Sequence, residues 1–135
     1  MTEHQKYSVL LVDDDRFLLD MYATKFSREG YAVQAFLSVD EALNALRGGL
    51  AVAAVVFDLV MPGKDGFALL QTLQDEHLAS GSALIALTNQ MEDTERTKTE
   101  QLGACRYLVK ASIIPSEVVT IVGQEIEKNK ASKKK

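Results

Sequence analysis

The chain has 135 residues, the size of one ordinary domain. With 47% hydrophobic and 25% charged residues it has enough apolar matter for one core, which excludes a disordered segment. A net charge of −4 argues against a surface that grips nucleic acid by its phosphates. One cysteine excludes an internal disulfide, and no apolar run approaches the roughly 18–20 residues of a membrane span.

The N-terminal stretch Met1 to Lys6 is polar and lacks the apolar region of a signal peptide, so a cytoplasmic location without membrane insertion is expected. Ser8 to Val12 is a short apolar run that stops at Asp13-Asp14-Asp15 and predicts a first strand. Over Phe17 to Glu29, Leu18, Tyr22 and Phe26 recur at four-residue spacing, which predicts a helix with Gly30 as its cap. Tyr31 to Phe36 alternates as a strand does. Val39 to Arg47 predicts a short helix capped by Ser38 and stopped by Gly48-Gly49.

A second apolar run, Val52 to Phe57, stops at Asp58, and the proline and glycines of Met61 to Gly66 predict a loop. Phe67 to His77 has helical spacing, and Ala83 to Leu87 is a third apolar run, ending at Thr88. Glu92 to Leu102 predicts a largely polar helix, Arg106 to Val109 a short strand ending at Lys110, and Ser116 to Glu127 a last helix with Val118, Val122 and Ile126 in line. The last eight residues, Lys128 to Lys135, hold five lysines and read as a solvated, frayed tail. The expected division is thus a domain over residues 1–128 and a lysine-rich tail over 129–135.

Strand and helix alternate five times. Continuous apolar strands require burial on both faces, as in a parallel sheet. The expected fold is a doubly wound, three-layer α/β fold with a five-stranded parallel sheet, of the flavodoxin-like (βα)5 type. Ligands of such folds sit beyond the carboxyl ends of the strands, where the strand order reverses. Those ends carry Asp13 to Asp15, Asp58, Thr88 and Lys110. Clustered carboxylates repel one another unless a hard cation offsets their charge, and Mg2+ favours a few carboxylates together with water and phosphate oxygens. A carboxylate is also a nucleophile toward phosphorus, while a lysine and a hydroxyl can hold the equatorial oxygens of a phosphoryl group. Each residue alone has a plainer explanation: Asp13 to Asp15 as caps of the first helix, Asp58 as a turn residue, Thr88 and Lys110 as ordinary strand ends. Their convergence on one edge favours the chemical reading.

The stretches Val12-Asp13-Asp14, Phe57-Asp58-Leu59-Val60-Met61-Pro62-Gly63-Lys64-Asp65-Gly66, Leu87-Thr88 and Tyr107-Leu108-Val109-Lys110 resemble the receiver domains of two-component response regulators. The resemblance runs from Tyr7 to about Lys128 and points to a stand-alone, single-domain type. It implies Asp58 as phosphoacceptor, and Mg2+ held directly by Asp14, largely through water by Asp13, and also by Asp58 and the Val60 carbonyl. It implies Lys110 on the phosphoryl oxygens and paired with unmodified Asp58. Thr88 and Tyr107 would be the switch pair, and Pro62 and Gly66 would shape the loop beside the site. It further implies a histidine kinase or histidine phosphotransfer protein as donor and a downstream protein as target. Direct binding to nucleic acid is not expected, nor catalysis beyond self-directed phosphotransfer and dephosphorylation. Two alternatives stand beside it. One is a receiver-like adaptor indifferent to phosphate. The other is an aspartate-nucleophile phosphatase of the haloacid-dehalogenase type, built on Asp13 and Asp15, although its later pair of metal-binding acids is missing.

Three features depart from the family pattern. Asn89 stands where a small residue is usual. Ala111 stands where proline, often cis, is usual, which leaves the geometry of the Lys110-Ala111 bond open. Val60 and Gln90 occupy positions that tune dephosphorylation, and an apolar Val60 cannot position water, so slow phosphoryl loss is expected. Cys105 reads as a small buried residue rather than a reactive thiol. His4 and His77 lack metal-ligand spacing, and no glycine-rich phosphate loop is present.

Overall fold

The computed structural model describes residues 7–89 and 92–133, with side chains through Lys130. His4, Gln90 and the end of the lysine-rich stretch lie outside the described residues. Five parallel strands, β1 (Ser8–Val12), β2 (Ala32–Phe36), β3 (Ala54–Phe57), β4 (Ala83–Thr88) and β5 (Arg106–Val109), form one sheet in the order β2-β1-β3-β4-β5. Between and after them run α1 (Arg16–Arg28), α2 (Val39–Arg47), α3 (Gly66–Asp75), α4 (Asp93–Gln101) and α5 (Pro115–Lys133). This is the doubly wound α/β fold that the alternating pattern predicts.

The apolar runs are buried because both faces of the sheet are covered. On one face Val9, Leu11, Val56 and Ile85 pack with Leu19 and Phe26 of α1 and Val118 and Val122 of α5. On the other, Leu10, Val12, Val55 and Phe57 pack with Leu43 and Leu46 of α2 and Leu69 and Leu73 of α3. Burying one such side chain contributes about 1.5–3 kcal/mol. The edge strand β2 is mostly exposed, with only Val33 and Phe36 partly buried.

Local chemistry sets the helix ends. The Ser38 hydroxyl accepts the Glu41 N–H and caps α2 as expected. The Asp15 carboxylate accepts the Leu18 N–H and caps α1, so for Asp15 the plainer explanation is what the structure shows. Asp65 caps α3 through the Ala68 N–H. Glu29, not Gly30, is the C-cap of α1; Gly30 follows it at φ +96°, the left-handed conformation that glycine adopts freely. The third strand begins at Ala54 rather than Val52. The last helix starts at Pro115 and continues to Lys133, past the expected end at Glu127, so the chain stays helical where a frayed tail was expected. Cys105 is exposed, because it lies before β5 at the sheet margin rather than in the core. Its thiol donates to the Leu84 carbonyl at 3.4 Å on its protein-facing side, and this partial loss of hydration together with the nearby Glu125 carboxylate pushes its pKa up to about 11. That leaves it a protonated, unreactive thiol at neutral pH. No helix among the described residues is long and apolar enough to cross a membrane.

Candidate functional site

The strand order reverses between β1 and β3, which opens a crevice at their carboxyl ends. Register then dictates what meets there. Val12 is paired with Phe57, and the Asp58 N–H donates to the Val12 carbonyl at 3.0 Å, so Asp13 and Asp58 emerge side by side. Thr88 is paired with Val109, so Lys110 emerges one residue beyond it. A shift of one residue in either ladder would turn these side chains to opposite faces.

Asp13, Asp14, Asp58 and Lys110 come together at this edge, Thr88 ends the neighbouring strand β4, and Asp15 turns away into the cap of α1. One carboxylate oxygen from each of Asp13, Asp14 and Asp58 lies within 4.8 Å of the others. Asp13 and Asp58 are buried, and Asp14 is exposed at the mouth. The Lys110 ammonium donates to Asp13 Oδ2 at 2.7 Å and to Asp58 Oδ2 at 3.2 Å, bridging the two buried acids. Asp13 Oδ1 also accepts the Asp15 N–H at 2.9 Å, and Asp58 Oδ1 accepts the Val60 N–H at 3.2 Å. Each oxygen of Asp13 and Asp58 accepts one of these bonds and retains a lone pair, so both can still face a cation beside Asp14, and three carboxylates against one ammonium leave a surplus of negative charge. A hard divalent ion with oxygen ligands fits that donor set.

Electrostatics sharpen the picture. Burial raises the Asp58 carboxyl above its ordinary pKa, and Lys110 and the Val60 N–H offset this only in part. Burial works to lower the Lys110 ammonium, but Asp13 and Asp58 outweigh it and the net shift is upward. The ammonium thus stays charged throughout the neutral range.

Thr88 is 1% exposed, and among the described residues its Oγ1 has no hydrogen-bond partner. A buried hydroxyl left so is uncommon in a folded protein and points to a group that it is built to meet. Tyr107 is half-buried. Its hydroxyl accepts the Glu92 N–H and donates to the Glu95 carboxylate, both at 3.4 Å, which ties it to the start of α4. Val60 is 63% exposed beside the mouth. The Lys110-Ala111 bond is trans, as are all peptide bonds among the described residues, and Lys110 to Ser112 form a 3-10 turn.

Two site features were not legible in the sequence. Gly66 was expected only to shape its loop, yet a Cβ there would stand 2.6 Å from the Asp58 carbonyl and 2.9 Å from Leu59 Cα. Only a residue without a side chain lets α3 start so close to the Asp58 backbone. Gly66→Ala is expected to lower stability by about 1–3 kcal/mol through this overpacking; urea unfolding with an unchanged midpoint would show that the contact relaxes freely. The second is Tyr22, expected as one of the apolar face of α1. It lines a small pocket together with Asp13 and Asp58.

Fold and pocket together define a doubly wound α/β protein with an acidic, lysine-bridged site at its switch point. Residues 9–122 match the family described as the response regulator receiver domain, and the chain belongs to that family, whose members serve two-component signalling. It is 30% identical over 120 residues to the regulatory protein VanRc of Enterococcus gallinarum, covering 89% of this chain and 50% of that protein. It is 31% identical over 103 residues to the transcriptional regulatory protein GltR of Pseudomonas aeruginosa, covering 76% and 42%. The chain thus spans about half the length of the curated relatives it matches. Among solved structures, a response regulator from Chloroflexus aurantiacus is 28% identical, with a TM-score of 0.81 over 91% of this chain and 99% of the other. A CheY-like receiver domain protein from Methanospirillum hungatei has the same fold, with a TM-score of 0.84 over 93% and 97% at 22% identity.

Proposed function

We propose that the chain is a phosphorylation-driven switch that accepts a phosphoryl group on Asp58 from a phosphohistidine and thereby alters a protein-binding surface. The observation that carries this is the sharing of one buried ammonium by Asp58 and Asp13, with Asp14 within reach and, at the end of β4, a Thr88 hydroxyl without a partner among the described residues. A carboxylate oxygen of Asp58 attacks phosphorus. The P–O bond forms as the P–N bond to the donor imidazole breaks, and the leaving imidazole takes a proton. Asp13, Asp14, Asp58 and the Val60 carbonyl would hold Mg2+, which when bound offsets the repulsion between carboxylate and phosphoryl oxygens. Lys110 neutralises the phosphoryl charge from the other side, and Thr88 donates its hydroxyl to a phosphoryl oxygen. That donation draws Thr88 inward, and Tyr107 follows as its contacts to Glu92 and Glu95 yield. The donor is a histidine kinase or histidine phosphotransfer protein and the output a protein contact in the cytoplasm, with no turnover of outside substrates.

The phosphatase alternative loses its acid, since the Asp15 carboxylate is engaged in capping α1. Beryllofluoride with Mg2+ tests the main reading: saturable binding with a shift of the Tyr107 ring resonances is expected. No binding, with partner binding intact, would instead identify a phosphate-indifferent adaptor. Because Val60 offers no polar group to a water beside Asp58, phosphoryl loss is expected over minutes or longer; decay of a radiolabelled sample within seconds contradicts this.

A further inference from the structure

Tyr22 lies on the buried face of α1, between Leu19 and Phe26. Helical side chains lean toward the N-terminus of their helix. The N-terminus of α1 follows directly on Asp13 to Asp15, so the long ring of Tyr22 leans back toward the acidic crevice. Its placement with Asp13 and Asp58 in the lining of a pocket of about 10 Å³ agrees with that geometry. Burial raises the phenol above its ordinary pKa, and the charges of Lys110 and Asp13 both act on it, the first lowering and the second raising. An ammonium has three N–H donors. Lys110 gives two of them to the carboxylates of Asp13 and Asp58.

We propose that Tyr22 is a positioning residue for Lys110, its hydroxyl oxygen taking up the ammonium's remaining N–H when Asp58 is esterified. The inference rests on the reading of Asp58 as phosphoacceptor. Once Asp58 carries a phosphoryl group, its own carboxyl oxygens lose their full charge, and Lys110 exchanges its bond to Asp58 Oδ2 for one to the more distant phosphoryl oxygens. A neutral oxygen held by the core keeps the ammonium in the crevice and aimed at the phosphoryl oxygens. An aliphatic residue at this place would pack equally well but would offer no acceptor.

Tyr22→Phe keeps the ring and removes the oxygen. Binding of beryllofluoride with Mg2+, followed by fluorine NMR, is expected to weaken about tenfold or more, the fold-change of one hydrogen bond to a charged group. Affinity for Mg2+ alone and the urea midpoint are expected to stay close to those of the parent protein. In the Lys110→Ala background the same substitution is expected to change nothing, because the partner is gone. Equal affinity of Tyr22→Phe and parent overturns the proposal, and so does an equal loss in both backgrounds, which would mark a packing effect. Failure of the parent protein itself to bind beryllofluoride overturns the reading of Asp58 and the role of Tyr22 with it, a result separate from either of the others.

Discussion

Asp58→Asn is expected to abolish phosphoryl labelling from a cognate kinase while leaving the protein folded and no less stable. Asparagine fills the same space but lacks a nucleophilic oxygen, so the radiolabel incorporated should fall by more than about a hundredfold. The effect on stability runs the other way. Burial places the folded-state pKa of Asp58 above its unfolded value. The charged form is therefore disfavoured in the fold, and the group subtracts from stability at neutral pH. That deficit is full above the folded pKa and disappears as pH falls below the unfolded one. Asparagine removes it, while Lys110 keeps its shorter bond to Asp13. Thermal unfolding without divalent ions should show a higher melting temperature for the variant near pH 7 and convergence with the parent in acid. Labelling that persists at another residue would end the assignment of Asp58.

Lys110→Ala is expected to have the second large effect, on stability and on signalling. The substitution leaves the buried Asp13 and Asp58 carboxylates without a cation, a change that typically costs about 3–5 kcal/mol. Urea unfolding in a chelator should show that loss, and Mg2+ should restore much of it by supplying the missing charge. The pKa of Lys110 is raised in the fold. Its stabilising contribution is therefore complete below the ordinary amine value and lost only as pH rises through the raised one. The gap between parent and variant should stay level through neutral pH and close at strongly alkaline pH. It should also narrow in acid as the carboxyls protonate. Labelling should persist, because Asp58 keeps its oxygens, but the shift of Tyr107 should not follow it. Equal urea midpoints for parent and variant in chelator would show that the ammonium does not hold the acids together.

Much of this site can be read from the residue string because it depends on strand ends. Apolar runs that stop at Asp13, Asp58, Thr88 and Lys110 locate their own boundaries, and a parallel sheet sends all four to one edge. What depends on the rotation and depth of one element against another is not written there. Tyr22 occupies an ordinary core position by periodicity, and only the folded structure shows it beside Asp13 and Asp58. Gly66 reads as a loop glycine until the start of α3 is seen against the Asp58 carbonyl. Asp15 is indistinguishable by type from its two neighbours, and the turn into α1 alone separates a cap from a site acid. Cys105 was misplaced because hydrophobicity does not reveal that its loop runs along the sheet margin.

The unpartnered Thr88 oxygen has an energetic corollary. A buried hydroxyl without a partner among the described residues raises the free energy of the unmodified form by about 1–3 kcal/mol. Any arrangement that supplies an acceptor recovers this amount, equal to a bias of roughly five- to 150-fold between two conformations. Under the reading of Asp58 as phosphoacceptor, part of the drive toward the phosphorylated form would thus reside in the resting protein, as a tension wound in before the donor arrives. Thr88→Val, which removes the frustrated hydroxyl and keeps the branched shape, should accordingly settle the resting form more deeply and make it harder to dislodge.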